Sequence, residues 1–482
     1  MPTTMQWTVR LLSQIDVQKR YASPFEQRYA NKHVLPFVLK EYRDVYGDQV
    51  DALWRPALDP PRAGTAAVIV DALAERLGVL GGTSEDEAAA RLVQRAWEDN
   101  DLDVMHREAH REALIKSRAF GSVHRDASGS QAIVGIESPD QMAVHRMSSP
   151  PYDVDAALKV SVDEWTGKGV GQLRLPGLDI PLVEQDTAVS DPDGDTGVSS
   201  RWVASGPGVP TGVPWVTVVE FAHQPRLLTA PISAIDPITT LVDLSDLIEA
   251  LLVFAGHFGA VPIRWGTGLT ALADPKNPAS PLLGPDGKPR IGFKPRADHF
   301  WGDSNSEAKF GQMVPADLTS FVVWAEHVAA RLRAATSVAS TYFSLDLKSH
   351  MSAELLKTDE APMVRRINAI GPRGAFNQGH RQLLRTILAI EAPGSAARVL
   401  PRWEDPQTRV EAQAVDSFGK AVAGGLGVQI AAEQYLGWAP DVARRAVEQG
   451  REDRRKAAEA AADASSDLGR ESRGLLDLAG AE

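Results

Sequence analysis

The chain contains no cysteine among its 482 residues. Disulfide bonds, thiolate catalysis and cysteine-ligated zinc are therefore excluded. The sequence also lacks an uninterrupted apolar run of about eighteen residues, the minimum for a membrane-spanning helix. The first residues, Met1-Pro-Thr-Thr-Met5, have neither the basic start nor the apolar run of a signal peptide. We therefore expect a protein without disulfides, without a secretion signal and without a membrane span.

An excess of positive charge is absent as well. Lys and Arg number 51 against 63 Asp and Glu, so the formal net charge is −12. Proteins that hold DNA tightly without sequence preference are usually basic, because they neutralise phosphates. The composition disfavours tight non-specific binding of DNA, but it is compatible with DNA sliding past an acidic wall. Length and an ordinary apolar content predict a soluble protein with two to four domains.

Catalytic motifs are scarce. The segment Gly284–Lys288 has the wrong spacing for a phosphate-binding loop and is flanked by prolines, and no Gly-x-Ser-x-Gly elbow occurs. Asp191–Gly197 begins like a calcium loop but has Thr196 at the glycine position and Trp202 at the bidentate glutamate position. We therefore predict no catalytic residue, metal or cofactor, and expect a structural or interaction protein instead of an enzyme.

One enzymatic alternative stays open. His106 and His110 are four residues apart, so on a helix they share a face and could bind a metal. Together with His145 they could form a metal-dependent hydrolase. The residues between them do not match the zinc-protease motif, and no third ligand is obvious, which favours ordinary core histidines.

The segment Ala234–Trp265 organises the chain. Asp236 before Pro237 is typical of a helix start, and a helix of about twenty residues can follow until Gly259 and Pro262. At 100° per residue it has an apolar arc and an opposite acidic arc. The apolar arc contains Leu244, Leu247, Ile248, Leu251, Phe254, Ala255 and Phe258. The acidic arc contains Thr239, Asp243, Asp246, Ala250 and His257, with Glu249 at its margin.

The remaining patterns predict an α+β fold that is mainly helical. Helical periodicity dominates up to residue 120, and period-two patterns between Val123 and Glu164 and at Trp215–Phe221 predict an antiparallel sheet. Residues 166–212 are rich in Gly, Pro, Asp and Ser and are interpreted as long strand connections. A loop-rich insert at 266–315 and a second helix at 316–336 complete a hairpin with the central helix.

Seven segments occur in an order and spacing that resemble a known family. They are Val68–Leu77, Trp97–Asp103, Gly212–Val216, Phe258–Trp265, Met351–Leu356, Pro401–Pro406 and Leu436–Pro440. Over about residues 40–450 the chain resembles the portal proteins of tailed bacteriophages, of the type found in actinobacteriophages and similar to the portal of a Bacillus siphophage. Two positions depart from the family: Leu228–Ser233 replaces a Gly-Arg-Ser segment, and Met351 stands where proline is common.

The resemblance implies a portal-type subunit in a homo-oligomer of about twelve copies. Such a ring sits at the capsid vertex of the virion, after assembly in the host bacterial cytoplasm, with no membrane involved. It forms a channel for packaging and ejection of double-stranded DNA without sequence specificity. It docks the terminase and the head–tail connector or adaptor, and it contacts the major capsid and scaffolding proteins. Another virion ring protein is a further alternative, although such chains are commonly shorter.

The same resemblance divides the chain into parts. They are a wing at 1–232, stem helix 1 at 233–265, a clip at 266–315, stem helix 2 at 316–336, a tunnel loop at 337–350, a long wing helix and strand at 351–425, crown helices at 426–464 and a disordered tail at 465–482. Six residues are predicted to line the DNA channel: Asp243, Asp246, Glu249, Arg331, Arg333 and Lys348. Because repeated circles of like charge repel, some of the carboxylates are expected to pair with Arg331 and Arg333. Clip docking is assigned to Phe293, Phe300 and Trp301.

Overall fold

The structure is a computed structural model of the single chain. It describes residues 2–34, 62–126, 128–149, 153–191, 198–227, 229–260, 264–268, 271–274, 277–283, 287–288, 306–312, 317–343, 353–407, 411–438 and 442–460. The described chain mixes helices and strands and is of the α+β class, as the sequence predicts.

The chain divides into two compact units. The larger unit contains Met1–Lys19, Ala72–Pro231 and Lys348–Glu482, and the smaller unit contains Arg20–Asp71 and Ile232–Leu347. The predicted stem helices and clip therefore belong to the smaller unit, together with residues 20–71 of the predicted wing. The predicted tail, 465–482, and the second half of the predicted tunnel loop, 344–350, lie outside the described residues.

The helices have the following bounds. In the N-terminal half they are α1 (Thr4–Tyr29), α2 (Thr65–Ala74), α3 (Glu87–Asp99) and α4 (Leu102–Lys116). The central hairpin contributes α5 (Thr239–Ala260), which follows a 3-10 turn at Asp236–Ile238, and α6 (Thr319–Thr336). After it come α7 (Ala353–Ile370), α8 (Ala375–Glu391), α9 (Glu411–Ala423), α10 (Val428–Ala431), continued by a π-turn at Ala432–Leu436, and α11 (442–460).

Several of these elements differ from their predicted bounds. The pattern of Ala66–Val79 predicts a single helix, but the helix ends at Ala74 and a strand begins at Val79. Pro362 is a position at which the sequence predicts a kink or a break, and α7 continues past it. The helix predicted to start at Ala316 starts at Thr319 instead.

The larger unit contains three antiparallel sheets. A six-stranded sheet has the order β4 (Met142–Arg146), β5 (Val154–Val162), β6 (Gly169–Leu175), β7 (Leu178–Ser190) and β8 (Ser199–Ala204), with β9 (Val209–Pro210) paired to β7. A three-stranded sheet has the order β10 (Val218–Ala222), β2 (Arg118–Arg125) and β3 (Ala132–Glu137). A third pairs β1 (Val79–Ser84) with β15 (Val399–Trp403).

The interpretation of residues 166–212 as long connections is wrong. Three strands of the six-stranded sheet, β6, β7 and β8, lie in this region, and β6 and β7 pair from Val170↔Val183 to Leu175↔Leu178. The high content of Gly, Pro and Asp concealed the period-two pattern. Pro181 is accommodated within β7 opposite Gln172. The predicted sheet is therefore larger than the sequence indicated.

Residues 4–19 of α1 pack against the six-stranded sheet. Leu11 and Ile15 of α1 are fully buried against Leu158, Leu173 and Leu182 from three neighbouring strands. Gln18, one turn further along, donates its side-chain amide to the Met142 carbonyl oxygen at 2.9 Å. Burial of a leucine or isoleucine side chain contributes roughly 1.5–3 kcal/mol, so this contact fixes the beginning of α1 on the larger unit.

A buried arginine links the two larger sheets. Arg174 of β6 is fully buried, and its Nη1 donates to the Val123 carbonyl oxygen at 3.2 Å and to Thr217 Oγ1 at 3.1 Å. Its Nη2 contacts the ring of His124. Burial lowers the pKa of Arg174, and the carboxylate of Asp179, 4.0 Å from Nε, opposes that shift. The guanidinium thus takes the place of apolar packing between β2 and β6.

Among the described helices, none combines the length and the apolar character that crossing a membrane requires.

Candidate functional site

A helix hairpin forms the part of the smaller unit that the sequence singled out. The helices α5 and α6 contact each other. Strand β11 (Arg264–Thr267) follows α5, and strand β14 (Lys309–Gln312) precedes α6. The two strands pair antiparallel from Arg264↔Gln312 to Thr267↔Lys309. Within the intervening segment, β12 (Ala273–Asp274) pairs with β13 (Asn277–Pro281). A two-stranded ribbon thus closes the insert at its base.

The acidic arc of α5 is occupied by residues of the same unit. Asp243 and Arg28 form a bidentate pair, in which Nε and Nη2 each donate to a carboxylate oxygen at 2.8 Å. The two side chains are 20% and 16% exposed, so water screens the pair only partly. A planar two-point pair of this kind is among the stronger polar contacts in proteins.

Asp246, one turn further along α5, is buried. One carboxylate oxygen accepts a hydrogen bond from the Ala63 backbone N–H at 2.6 Å. The other lies 2.8 Å from His33 Nε2, without the geometry of a well-formed hydrogen bond. Burial raises the pKa of Asp246, and the contacts with Ala63 and His33 oppose that rise. The carboxylate is therefore stabilised by groups from two separate segments.

Three further contacts continue this polar interface. Tyr21 donates its hydroxyl to Asp236 at 2.9 Å and accepts a hydrogen bond from the Ser233 N–H at 3.0 Å. Thr65 Oγ1 and Ser245 Oγ lie 3.1 Å apart. Residues 21–33 and 62–65 therefore cover the polar arc of α5 within the smaller unit.

The expected pairing with α6 is not seen for Asp243 and Asp246. The partners of Asp243 and Asp246 are Arg28, His33 and the Ala63 N–H, not Arg331 or Arg333. The physical reason is that the chain before α2 packs on the acidic arc and supplies its cations there. Arg331 is exposed, and Glu249 and Arg333 are half-buried. Lys348 lies outside the described residues.

The apolar arc of α5 is only partly covered. Ile248 and Ala255 are buried, whereas Leu244, Leu247 and Leu251 are half-buried. Helices of isolated globular proteins normally bury their apolar face and expose their polar face. The helix α5 departs from this arrangement, because it leaves three leucines partly open to solvent while Asp246 is 1% exposed.

The second helix of the hairpin also exposes apolar side chains. Val328, Leu332 and Thr336 on one face of α6 are buried. On other faces Val322 is 50% exposed and Val323 is 60% exposed, and Trp324 is 38% exposed. We call Val322, Val323 and Trp324 the α6 patch. The predicted docking residues Phe293, Phe300 and Trp301 lie outside the described residues.

The histidines of the enzymatic alternative lie in the core of the larger unit. His106 is buried, its Nδ1 donates to the Leu102 carbonyl oxygen at 2.6 Å, and its Nε2 accepts from the Val79 N–H at 3.0 Å. His110 is also buried, and its Nδ1 donates to the Leu77 carbonyl oxygen at 2.9 Å. Both nitrogens of His106 and one of His110 are therefore engaged by the backbone.

A third histidine, which the sequence analysis did not identify, completes the cluster. His380 of α8 is fully buried, and its Nε2 lies 2.8 Å from His110 Nε2. Because His110 Nδ1 carries its ring proton, His380 Nε2 is the donor in this contact. We call His106, His110 and His380 the histidine cluster. In the sequence, the buried position of His380 is indicated only by the apolar periodicity of the helix that contains it.

Aromatic rings surround the histidine cluster. His110 stacks on Phe376 at 4.6 Å between ring centroids, and His380 contacts Phe221 at 4.8 Å. Burial lowers the pKa of His106 to about 4 and that of His380 to about 3, and it lowers the pKa of His110 well below its ordinary value. All three rings are therefore neutral at pH 7.

His145 does not join this cluster. It lies on β4, where its Nδ1 contacts Asp155 Oδ1 of β5 at 2.6 Å and its ring packs edge-on against Trp7. In the described part of the chain, no group of three or more His, Asp or Glu side chains has an arrangement that could hold a metal ion. The three histidines of the hydrolase alternative are thus not brought together.

Comparisons with known proteins give a distant structural likeness. No protein family matches the chain, and no curated protein matches it either. The chain is similar to a chain in the neck of an empty gene transfer agent particle computed with C6 symmetry, with a TM-score of 0.40 and 11% identity, covering 81% of this chain and 93% of that one. It is also similar to a chain in the virion of a native gene transfer agent particle, with a TM-score of 0.38 and 12% identity, over 81% and 93% of the two chains. Likeness at this level does not establish a shared function.

Proposed function

We propose that the chain is a portal protein of a tailed bacteriophage. In this proposal about twelve copies form a ring at the capsid vertex. The ring provides the channel for DNA packaging and ejection and docks the terminase and the head–tail connector. The order of the seven sequence segments supports this assignment. The hairpin of α5, the β11–β14 ribbon and α6 supports it too, because the resemblance implies two stem helices that flank a clip at this position.

The observation that carries the proposal is the incomplete burial of the apolar arc of α5. Its polar arc is satisfied inside one chain, whereas Leu244, Leu247 and Leu251 remain partly open to solvent. The α6 patch adds further exposed apolar area to the same hairpin. Apolar surface of this kind marks a protein–protein interface. A hairpin with two apolar surfaces can contact a neighbour on each side, which is what a closed ring requires.

The contacts of Asp243 and Asp246 also modify the proposed lining of the channel. Asp243 and Asp246 already have partners, so their charge is compensated within each subunit. In the proposed ring, the repulsion between equivalent carboxylates is thereby reduced. Because Asp246 is buried and Arg28 covers Asp243, the proposed lining is reduced to Glu249, Arg331, Arg333 and Lys348. Phe293, Phe300 and Trp301 remain the proposed clip contacts.

We propose a structural role, not an enzymatic one. A hydrolase that uses His106 and His110 is disfavoured because three of their four ring nitrogens bind backbone groups and the rings are packed among aromatic side chains. His145 lies apart from them on β4, where it contacts Asp155 of β5. No observation on the described residues favours this second function.

Ring formation is tested by particle mass. Twelve copies of the 52.0 kDa chain amount to roughly 600 kDa. We expect native mass measurement at micromolar concentration to give such a particle. The double substitution Val322→Asp with Val323→Asp should convert it to monomer, because two charges would be buried in an apolar interface.

A matched control uses two equally exposed valines of the larger unit. Val162 is 68% exposed and Val209 is 60% exposed. Val162→Asp with Val209→Asp should leave the ring intact, and circular dichroism should show that both double variants are folded. A parental protein that remains a monodisperse monomer under several salt conditions would refute the portal assignment.

A further inference from the structure

A cleft with cationic side chains lies along α7 in the larger unit. It has a volume of about 310 Å³ and is lined by Lys357, Glu360, Ala361, Val364 and Arg365 of α7, and by Gln407 after β15. At 100° per residue, the five helical positions fall within one arc of about 140°. They therefore form a single face of α7 that opposes the loop after β15.

The two exposed cations stand at opposite ends of this face. Lys357 and Arg365 are eight residues apart, which corresponds to about 12 Å along the helix axis. Both side chains are exposed, and neither forms an ion pair with a described residue. Between them, Ala361 and Val364 form a floor without charge. Two separate anionic groups fit this arrangement better than one.

The carboxylate in the cleft is already compensated. Arg76 Nη2 lies 3.0 Å from Glu360 Oε1, and Arg76 Nη1 donates to the Pro406 carbonyl oxygen at 3.2 Å. Both charged side chains are nearly buried. Arg76 therefore neutralises Glu360 and also holds the loop before Gln407 against α7. The electrostatic character of the cleft is then set by Lys357 and Arg365.

Gln407 supplies an uncharged donor on the opposite wall. Its backbone N–H donates to Asp405 Oδ1 at 3.0 Å, which fixes the turn and leaves the side-chain amide on the cleft. The carboxylate of Asp405 is thereby engaged in that turn. Cations at two ends and an amide at the side are the donor types that contact a sugar–phosphate backbone.

We propose that this cleft binds phosphate groups of double-stranded DNA, with Lys357 and Arg365 contacting different phosphates. The choice of DNA as the source of phosphate rests on the proposed portal function. The assignment of phosphate as the ligand does not rest on that function, because any array of phosphates would contact the same donors. In a chain of net charge −12, the cleft provides a local contact for DNA on an otherwise repulsive protein.

The test is the salt dependence of duplex DNA binding, measured by fluorescence anisotropy. Each neutralised phosphate contributes about 0.9 to the slope of log K against log salt. The double substitution Lys357→Glu with Arg365→Glu should lower the magnitude of that slope by about 2 and weaken binding most at low salt. Arg10→Glu with Lys168→Glu, at two other exposed cations of the larger unit, gives the same net charge and should leave the slope unchanged.

Three outcomes would overturn the proposal. Equal slopes for the two double variants would mean that only net charge matters. Loss of binding to inorganic phosphate alone, with duplex binding intact, would assign the cleft to a free anion. Loss of binding to poly-glutamate, again with duplex binding intact, would assign it to an acidic protein segment. None of these depends on ring formation, so failure of the portal proposal is seen separately in the particle mass.

Discussion

The acidic arc of α5 and the histidine cluster both bury polar side chains, but the first contains carboxylates and the second contains neutral rings. Asp243 is half-buried in an ion pair with Arg28, and Asp246 lies buried against His33 and a backbone N–H. His106 and His380 are buried as neutral rings among aromatic side chains. A buried carboxylate that stays charged needs a cation or several donors, whereas a histidine can avoid the penalty by releasing its proton. The two regions should therefore respond differently to acid and to loss of a partner.

Acid should produce the largest difference between them. The pKa values of the three clustered histidines are lowered in the folded state, so below pH 6.5 the unfolded chain binds protons that the folded chain does not. Stability is then lost as the pH falls from 6.5 towards about 4 for His106 and about 3 for His380. At pH 5 we expect a loss of about 2 kcal/mol for each of these two residues, with His110 adding in the same direction.

Hydrogen exchange of backbone amides can locate this loss. Amides of α4 and α8 should open more readily at pH 5 than at pH 7 after correction for intrinsic exchange. The pKa of Asp246 is raised, so protonation at acid pH does not weaken α5 through that group. A loss of protection that is equal in α4, α8 and α5 would contradict the comparison.

Removal of a buried carboxylate should have the next largest effect. Asp246→Lys places an ammonium group beside His33 and leaves the Ala63 N–H without its acceptor. We expect a loss of about 3–5 kcal/mol in the free energy of unfolding of the smaller unit. Glu249→Lys, at a half-buried position of the same helix without a described partner, is the control and should change stability by less than about 1 kcal/mol. Similar losses for the two variants, followed by urea unfolding, would show that Asp246 is not a structural anchor.

This expectation also bears on any test of the channel wall. If lysines replace Asp243 and Asp246 together, the subunit loses its contacts with Arg28 and His33 before any effect on DNA can be measured. A charge reversal at Glu249 leaves those contacts in place. It is therefore the cleaner substitution for a measurement of DNA transport.

Neutralisation of Asp243 should have a smaller effect. Asp243→Asn keeps the shape of the side chain and one acceptor oxygen for Arg28, so we expect a loss of about 1–2 kcal/mol. Asp416→Asn, in the exposed pair with Lys420, should have an effect near zero. Thermal unfolding of both variants measures the difference. Equal shifts would mean that partial burial adds nothing to the Arg28–Asp243 pair.

Local sequence patterns predicted the hairpin well. The Asp236-Pro237 start, the glycine and proline at its end and the loop-rich insert are signals that act within a few residues, and α5 and α6 follow them closely. The strands at 166–212 were missed because the turn-forming residues there obscured the alternation. Leu173 and Leu182, which are buried in β6 and β7, are separated by a turn. The alternating pattern on each side of that turn is too short to predict a strand by itself.

The partners of the acidic arc could not be predicted from local patterns. Arg28 and Asp243 are 215 residues apart in sequence, and nothing in either segment identifies the other. Arg331 and Arg333 were the nearest basic residues on the returning helix, which made them the plausible choice. The same limit applies to His380, which is 270 residues from His110. Helix faces are encoded locally, whereas the contacts that cover them depend on the whole fold.

The distance between Arg28 and Asp243 along the chain also affects how the protein is made. During synthesis, Arg28 leaves the ribosome long before Asp243 exists. At roughly 5–20 residues per second, the interval of 215 residues corresponds to about 10–40 s. Throughout that time the end of α1, His33 and the Ala63 N–H have no α5 to bind. The smaller unit therefore cannot complete its polar interface until the middle of the chain has been translated.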